Sequence, residues 1–183
     1  MDKQIVIVNP KEIRMYENRI MSNTRIAIAS LQEQLMRLEG IDALRLMKFT
    51  KCGGDPFTGE HLNLVEQINQ TFTYLVCLEA VRVLMERHPD RDIQYVVSFG
   101  SKNGFDVMSR EGSIVCDCFA AVKPDRHGQL IRQVRKVSGC MEAKYKYVVF
   151  YTVEKKPALL QRIKLKYPDV VVIPLEGLGE FSN

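Results

Sequence analysis

The chain predicts an α/β fold, a mixed central sheet flanked by helices with a strand-and-helix arm ahead of it. Three observations carry that expectation. Long helical patterns of apolar residues fill most of the first ninety positions; alternation of period two takes over after Pro89; and beyond residue 123 helical segments separate strongly apolar strands. Strands joined through helices are served by right-handed parallel crossovers, whereas strands joined by tight turns form antiparallel meanders. The expected sheet is therefore mixed.

In order along the chain, the run IVIV at 5–8 is short, β-branched and stopped by Asn9-Pro10, which marks a strand or an extended arm. From about 10 to 38, Ile13, Tyr16, Ile20, Ile28, Leu31, Leu35 and Leu38 form an apolar stripe at helical spacing, and Gly40 supplies a stop. That stripe either covers the core or pairs with a second copy of itself as a homodimer. Residues 41–59 read as a strand passing into a loop punctuated by Gly53-Gly54, Asp55-Pro56 and Gly59. The boundary between an N-terminal arm (1–58) and a core (59–183) is placed there.

The core opens on a long helix over about 61–88, polar in its first half and apolar over 74–85 apart from Glu79 and Arg82, with Glu79 expected in an ion pair with Arg82 or another cation. Three strands follow, at 93–100, 105–108 and 113–122, with Gly100, Asn103-Gly104 and Glu111-Gly112 in the turns. A helix over about 126–137 shows an apolar face of Leu130, Ile131, Val134 and Val137. A strand at 145–152, a helix at 157–168 that starts on proline, and a wholly apolar strand at 170–175 complete the order α-βββ-α-β-α-β.

Composition narrows the functional classes. Of 183 residues, 46% are hydrophobic and 26% charged, which argues for a folded globular domain rather than disorder. A net charge of +4 and a pI near 8.8 permit contact with a polyanion without demanding it. No apolar run approaches the roughly 18 residues that span a bilayer, and MDKQIVIVNP lacks the apolar core of a secretory signal. Cys52, Cys77, Cys116, Cys118 and Cys140 form an odd set without a CxxC pair, which suits reduced thiols in a cytoplasmic protein better than a disulfide framework. No membrane contact is expected.

The chemistry-bearing stretch is GFDVMSREGSIVCDCFAAVK, from Gly104 to Lys123. Alternation puts Cys116 and Cys118 on one face of the third core strand and Val115, Asp117 and Phe119 on the other. Asp117 thus sits in apolar company, and Asp106 interrupts the preceding strand. If the two strands pair as a hairpin, the carboxylates lie near each other. Two such carboxylates repel, and a divalent cation is the usual means of keeping both ionised.

This order of elements, with Asp106 in GFDV and a second acidic residue in the next apolar strand, resembles the PD-(D/E)xK superfamily of restriction-endonuclease-like nucleases. The resemblance covers about residues 60–175 and rests on a short, permissive motif. It implies a restriction-endonuclease-like core and Mg²⁺- or Mn²⁺-dependent endonuclease activity on DNA phosphodiester bonds. Asp106 and Asp117 would take the two acidic positions as metal ligands, with Glu66 on the preceding helix as a third. Gly128-Gln129-Leu130 resembles the glutamine-leucine pair that often opens the helix after the acidic strand. The chain departs from the pattern at Phe119, where the family places lysine. Lys102, Gln129 and Lys136 are the groups that could approach the site instead, and Lys102, Arg126, Arg132, Arg135 and Lys136 are the cations that would meet a nucleic-acid backbone.

Plainer roles stand beside these. Asp106 and Asp117 can be strand residues on a solvated face, Glu66 fits a capping box with Asn63, the cations of 126–136 fit the wet face of an amphipathic helix, and Cys116 and Cys118 fit core packing. An impaired member of the same fold, serving as a nucleic-acid or protein binding module, is the alternative to an enzyme, and an unrelated α/β domain is the third reading.

Overall fold

The computed structural model describes residues 3–89, 92–100 and 104–178. Its elements are β1 (Gln4–Ile7), α1 (Pro10–Leu35), α2 (Gly40–Phe49), β2 (Gly53–Gly54), β3 (His61–Leu62), α3 (Leu64–Arg87), β4 (Tyr95–Ser98), β5 (Val107–Ser109), β6 (Ile114–Ala121), α4 (Gln129–Ser138), β7 (Tyr145–Thr152), α5 (Pro157–Lys166) and β8 (Val170–Leu175). Among the described residues, six strands form one sheet in the order β1-β4-β5-β6-β7-β8, and β2 pairs with β3 separately. β1, β4, β5 and β6 run antiparallel to their neighbours, while β6, β7 and β8 are parallel. The sheet is mixed: a tight turn joins antiparallel β5 to β6, α4 and α5 join the parallel strands, and β1 reaches β4 only through the long segment that carries α1, α2 and α3.

Helices cover both faces. On one, α3 lies against the sheet and α1 lies against α3, so α3 is enclosed on two sides. This explains its composition: Tyr74, Leu75, Val76, Cys77 and Leu78 are five consecutive buried residues, which only a helix wrapped by other elements tolerates. The first core cluster unites these with Ile13 and Ile20 of α1, Ile5 and Ile7 of β1, and Cys116 and Cys118 of β6. The N-terminal half of the α1 stripe, Ile13 and Ile20, therefore faces inward whereas Ile28 is exposed, and Arg82 of α3 ties the two helices by pairing with Glu17 at 2.8 Å and with its neighbour Glu79. On the other face, Leu130, Val134 and Val137 of α4 and Ile163 of α5 meet Val115, Phe119, Val148 and Phe150. Each such buried aliphatic side chain contributes about 2 kcal/mol of apolar burial, which fixes α4 in rotation over β6.

Several element ends follow from local chemistry. Asn9 caps α1 by accepting from the Lys11 and Glu12 amides, with Pro10 as its first residue. α3 starts on a full capping box of Asn63 and Glu66. One expectation is corrected: residues 40–49 form α2, not a strand. Ala43, Leu44, Leu46, Met47 and Lys48 are strong helix formers, and Ile41 is the one β-branched residue of the segment to favour a strand. Gly40, expected to stop the first helix, instead opens α2 at φ +52, while α1 closes earlier on Met36.

Candidate functional site

The site begins with the β5–β6 hairpin. Val107 pairs with Cys116 and Met108 with Val115 around a turn in which Gly112 sits at φ +79, a conformation glycine adopts without steric cost. One step further in this register, Asp106 stands opposite Asp117. Main-chain pairing stops there, and the Asp106 carboxylate takes over: its Oδ2 accepts from the Cys118 amide at 2.8 Å. Asp106 is half-buried and Asp117 fully buried, so the solvated-face reading does not hold for Asp117.

β6 turns Asp117 toward α4, in line with Val115 and Phe119. There the side chain meets Lys136, whose Nζ donates to Asp117 Oδ1 at 2.8 Å. The ammonium is also 5.3 Å from the centre of the Phe105 ring, so a cation-π contact steadies it from the β5 side. Asp117 Oδ2 is buried and has no hydrogen-bond partner among the described residues. Burial pushes the Asp117 acid up, against the pull of Lys136 and of the Asp106 backbone. Burial likewise pushes Asp106 up to about 6; the Cys118 amide opposes this, the charge of Asp117 adds to it, and Lys136 offsets part of it. The two carboxylates thus repel each other across the end of the ladder, and the ammonium that bonds Asp117 offsets part of the charge at Asp106.

The Asp106 carboxylate also reaches toward the α3 side of the sheet. One of its oxygens lies with Cys77 Sγ and Cys118 Sγ in a group whose members are all within 4.8 Å of one another. Asp106 is thus placed between two environments, thiols on one side and the Asp117–Lys136 pair on the other.

The remaining predicted residues are dispersed. Glu66 is exposed, its carboxylate accepting from the Asn63 amide at 3.4 Å in the capping box. It lies eleven residues from Cys77, about 16 Å along the helix axis at 1.5 Å per residue. Gln129 is the first residue of α4, two turns from Lys136, and hydrogen-bonds neither aspartate among the described contacts. Arg126, Arg132 and Arg135 are exposed, Arg126 in the turn before α4 and the others on it, with Arg135 Nε 3.3 Å from Tyr167 Oη. Lys102 lies outside the described residues. Phe119, at the position where a lysine was expected, stacks on Phe150 with centroids 5.1 Å apart and planes 7° from parallel, and is buried in the α4 side of the core.

Sequence reasoning named Lys136 as one of several approachable cations but could not select it. Its Cα lies off the buried face of α4, and only the length of the lysine stem carries the ammonium to the strand. Cys77 was missed altogether, because the α3–β6 contact that brings it to Asp106 joins residues far apart in the chain. The single usable signal was the parity of β6, which assigned Cys118 and Asp117 to opposite faces.

The chain was compared with known protein families, with curated proteins and with solved structures. It matches none of them.

Proposed function

We propose that the protein is a metal-dependent nuclease that hydrolyses DNA phosphodiester bonds at Asp106, Asp117 and Lys136 on a restriction-endonuclease-like core. The observation that carries this reading is the Lys136–Asp117 pair: an amine supplied by α4 takes the place vacated by Phe119. The observed order α3-β4-β5-β6-α4-β7-α5-β8 agrees with the order expected of that core.

The two acidic residues suit a hard divalent cation. Asp117 has a buried oxygen without a hydrogen-bond partner among the described residues, and Asp106 is pushed up to about 6, so the pair is short of positive charge. Asp106 and Asp117 would hold Mg²⁺ or Mn²⁺, which when bound supplies Lewis acidity toward the phosphate and a more acidic water. Lys136 balances the Asp117 charge and, with two-fifths of its side chain exposed, presents its remaining N–H bonds to a phosphate oxygen. The Phe105 ring centre stands 5.3 Å from the ammonium on its β5 side. Arg132, one helical turn from Lys136, and Arg135 and Arg126 extend the positive surface along which a DNA backbone is tracked.

A second reading is a DNA-binding module of the same fold without activity. It is favoured by the orientation of Asp106, whose carboxylate is engaged by the Cys118 amide and leans toward the thiols. Nicking of supercoiled DNA in Mg²⁺ or Mn²⁺ separates the two. The nuclease reading expects wild-type nicking that is abolished by chelator and reduced at least about a hundredfold in Asp117→Asn. Salt-dependent binding without nicking would favour the module, and equal nicking by wild type and variant would end the proposal.

A further inference from the structure

We propose that Cys77, Cys118 and Asp106 form a binding site for a thiophilic divalent cation, of which Zn²⁺ is the natural example, on the α3 side of β6. One ligand atom from each residue lies within 4.8 Å of the other two. Around Zn²⁺, with bonds near 2.3 Å to sulfur and 2.0–2.2 Å to oxygen, tetrahedral ligand atoms stand about 3.4–3.8 Å apart. The three atoms therefore need only small side-chain rotations to share an ion. Their anchors are rigid: Cys77 is in the enclosed half of α3 and Cys118 is on a central strand of the sheet.

Two further features fit a soft metal. Cys116 Sγ lies 3.8 Å from Cys118 Sγ but outside the group of three, so it supplies a sulfur-rich surrounding while water would take the fourth position. The Cys118 amide holds Asp106 Oδ2 at 2.8 Å, which orients the carboxylate from outside the ligand set. The thiols are buried whereas Asp106 is half-buried, so the ion enters past the carboxylate. As each sulfur–metal bond forms, that thiol passes its proton to solvent, and no change of oxidation state is involved.

Asp106 belongs both to this site and to the proposed Mg²⁺ site, so soft-metal occupancy withdraws a ligand from the hard-metal site and inhibits cleavage. That consequence, unlike the site itself, rests on the nuclease reading. Titration of the reduced full-length protein with Co²⁺ tests the site. The expected result is a thiolate-to-cobalt charge-transfer band at one equivalent, displaced by Zn²⁺, retained in Cys52→Ser/Cys140→Ser and lost in Cys77→Ala/Cys118→Ala. Asp106→Asn, which keeps an acceptor for the Cys118 amide, should bind Co²⁺ more than about tenfold more weakly. Absence of the band in the wild type, its persistence in the double alanine variant, or unchanged affinity in Asp106→Asn would each overturn the site. Should the alanine variant fail to fold, Asp106→Asn alone decides. Cobalt binding by a protein that never nicks DNA leaves this site standing and removes the nuclease.

Discussion

Asp106 stands where the β5–β6 ladder ends, and its environment opposes its charge. An acid moved from the ordinary 3.8 up to about 6 corresponds to roughly 3 kcal/mol against the ionised form at neutral pH. Without divalent metal at pH 7.5, Asp106→Asn should therefore stabilise the protein by about 1–3 kcal/mol, a rise of several degrees in Tm, while abolishing cleavage. Thermal melts check this, and a lower Tm would show that the carboxylate is needed to hold Cys118. Asp117 differs, because it owns the Lys136 pair. Lys136→Met leaves a buried carboxylate with neither oxygen hydrogen-bonded by a lysine, and should destabilise by roughly 1–3 kcal/mol, less than for a fully buried pair since solvent reaches the ammonium. Adding Asp117→Asn should restore most of the loss. A double-mutant cycle by urea unfolding measures the coupling, and additive losses would contradict a direct pair.

At the scale of elements, Asp55 gathers β1, the β2–β3 hairpin and α3. Its buried carboxylate accepts from Lys3 Nζ at 2.6 Å, from Tyr74 Oη at 3.2 Å, and from the Phe57 and Thr58 amides. Burial pushes the Asp55 acid up, but Lys3 and the amides prevail and hold it below the ordinary 3.8. A depressed acid stabilises the fold fully above its unfolded value and ceases to do so as pH falls through the folded one. The stability difference between wild type and Asp55→Asn should thus be constant above about pH 5 and vanish on further acidification; a difference that instead grows in acid would reverse the assigned sign. The segment Gly53-Gly54-Asp55-Pro56 read as loop punctuation in the sequence, but Gly53-Gly54 form β2 against His61-Leu62, and Asp55 fastens the segment to the core. Punctuation residues report backbone conformation; the contacts Asp55 makes 52 and 19 residues away leave no local trace. The strands of the main sheet were legible because their apolar patterns are local, and β7 and β8 emerge with the expected bounds, whereas β2 and β3 fall on residues read as loop and as helix start. α2 was not, since a ten-residue segment offers too few apolar positions to distinguish well between helix and strand.

For the whole molecule, the mixed sheet brings together residues from four separate segments. The crossover from β6 through α4 to β7 lays Lys136 over Asp117, nineteen residues on, and packing of α3 against β6 brings Cys77 beside Cys118. Asp106 and Asp117 could be named from sequence because a charge in an apolar strand is conspicuous. Their partners could not, because selecting Lys136 needs the rotation of α4 over the sheet and finding Cys77 needs the depth of α3. No described helix is long and apolar enough to cross a membrane.

The central claim is that Lys136 completes the acidic pair as a working amine. Single-turnover cleavage of a labelled DNA duplex in saturating Mg²⁺, comparing wild type with Lys136→Met at matched duplex occupancy, tests it most directly. The account predicts a rate at least about a hundredfold lower in Lys136→Met, with duplex affinity changed only severalfold. Equal cleavage rates in the two proteins would contradict it.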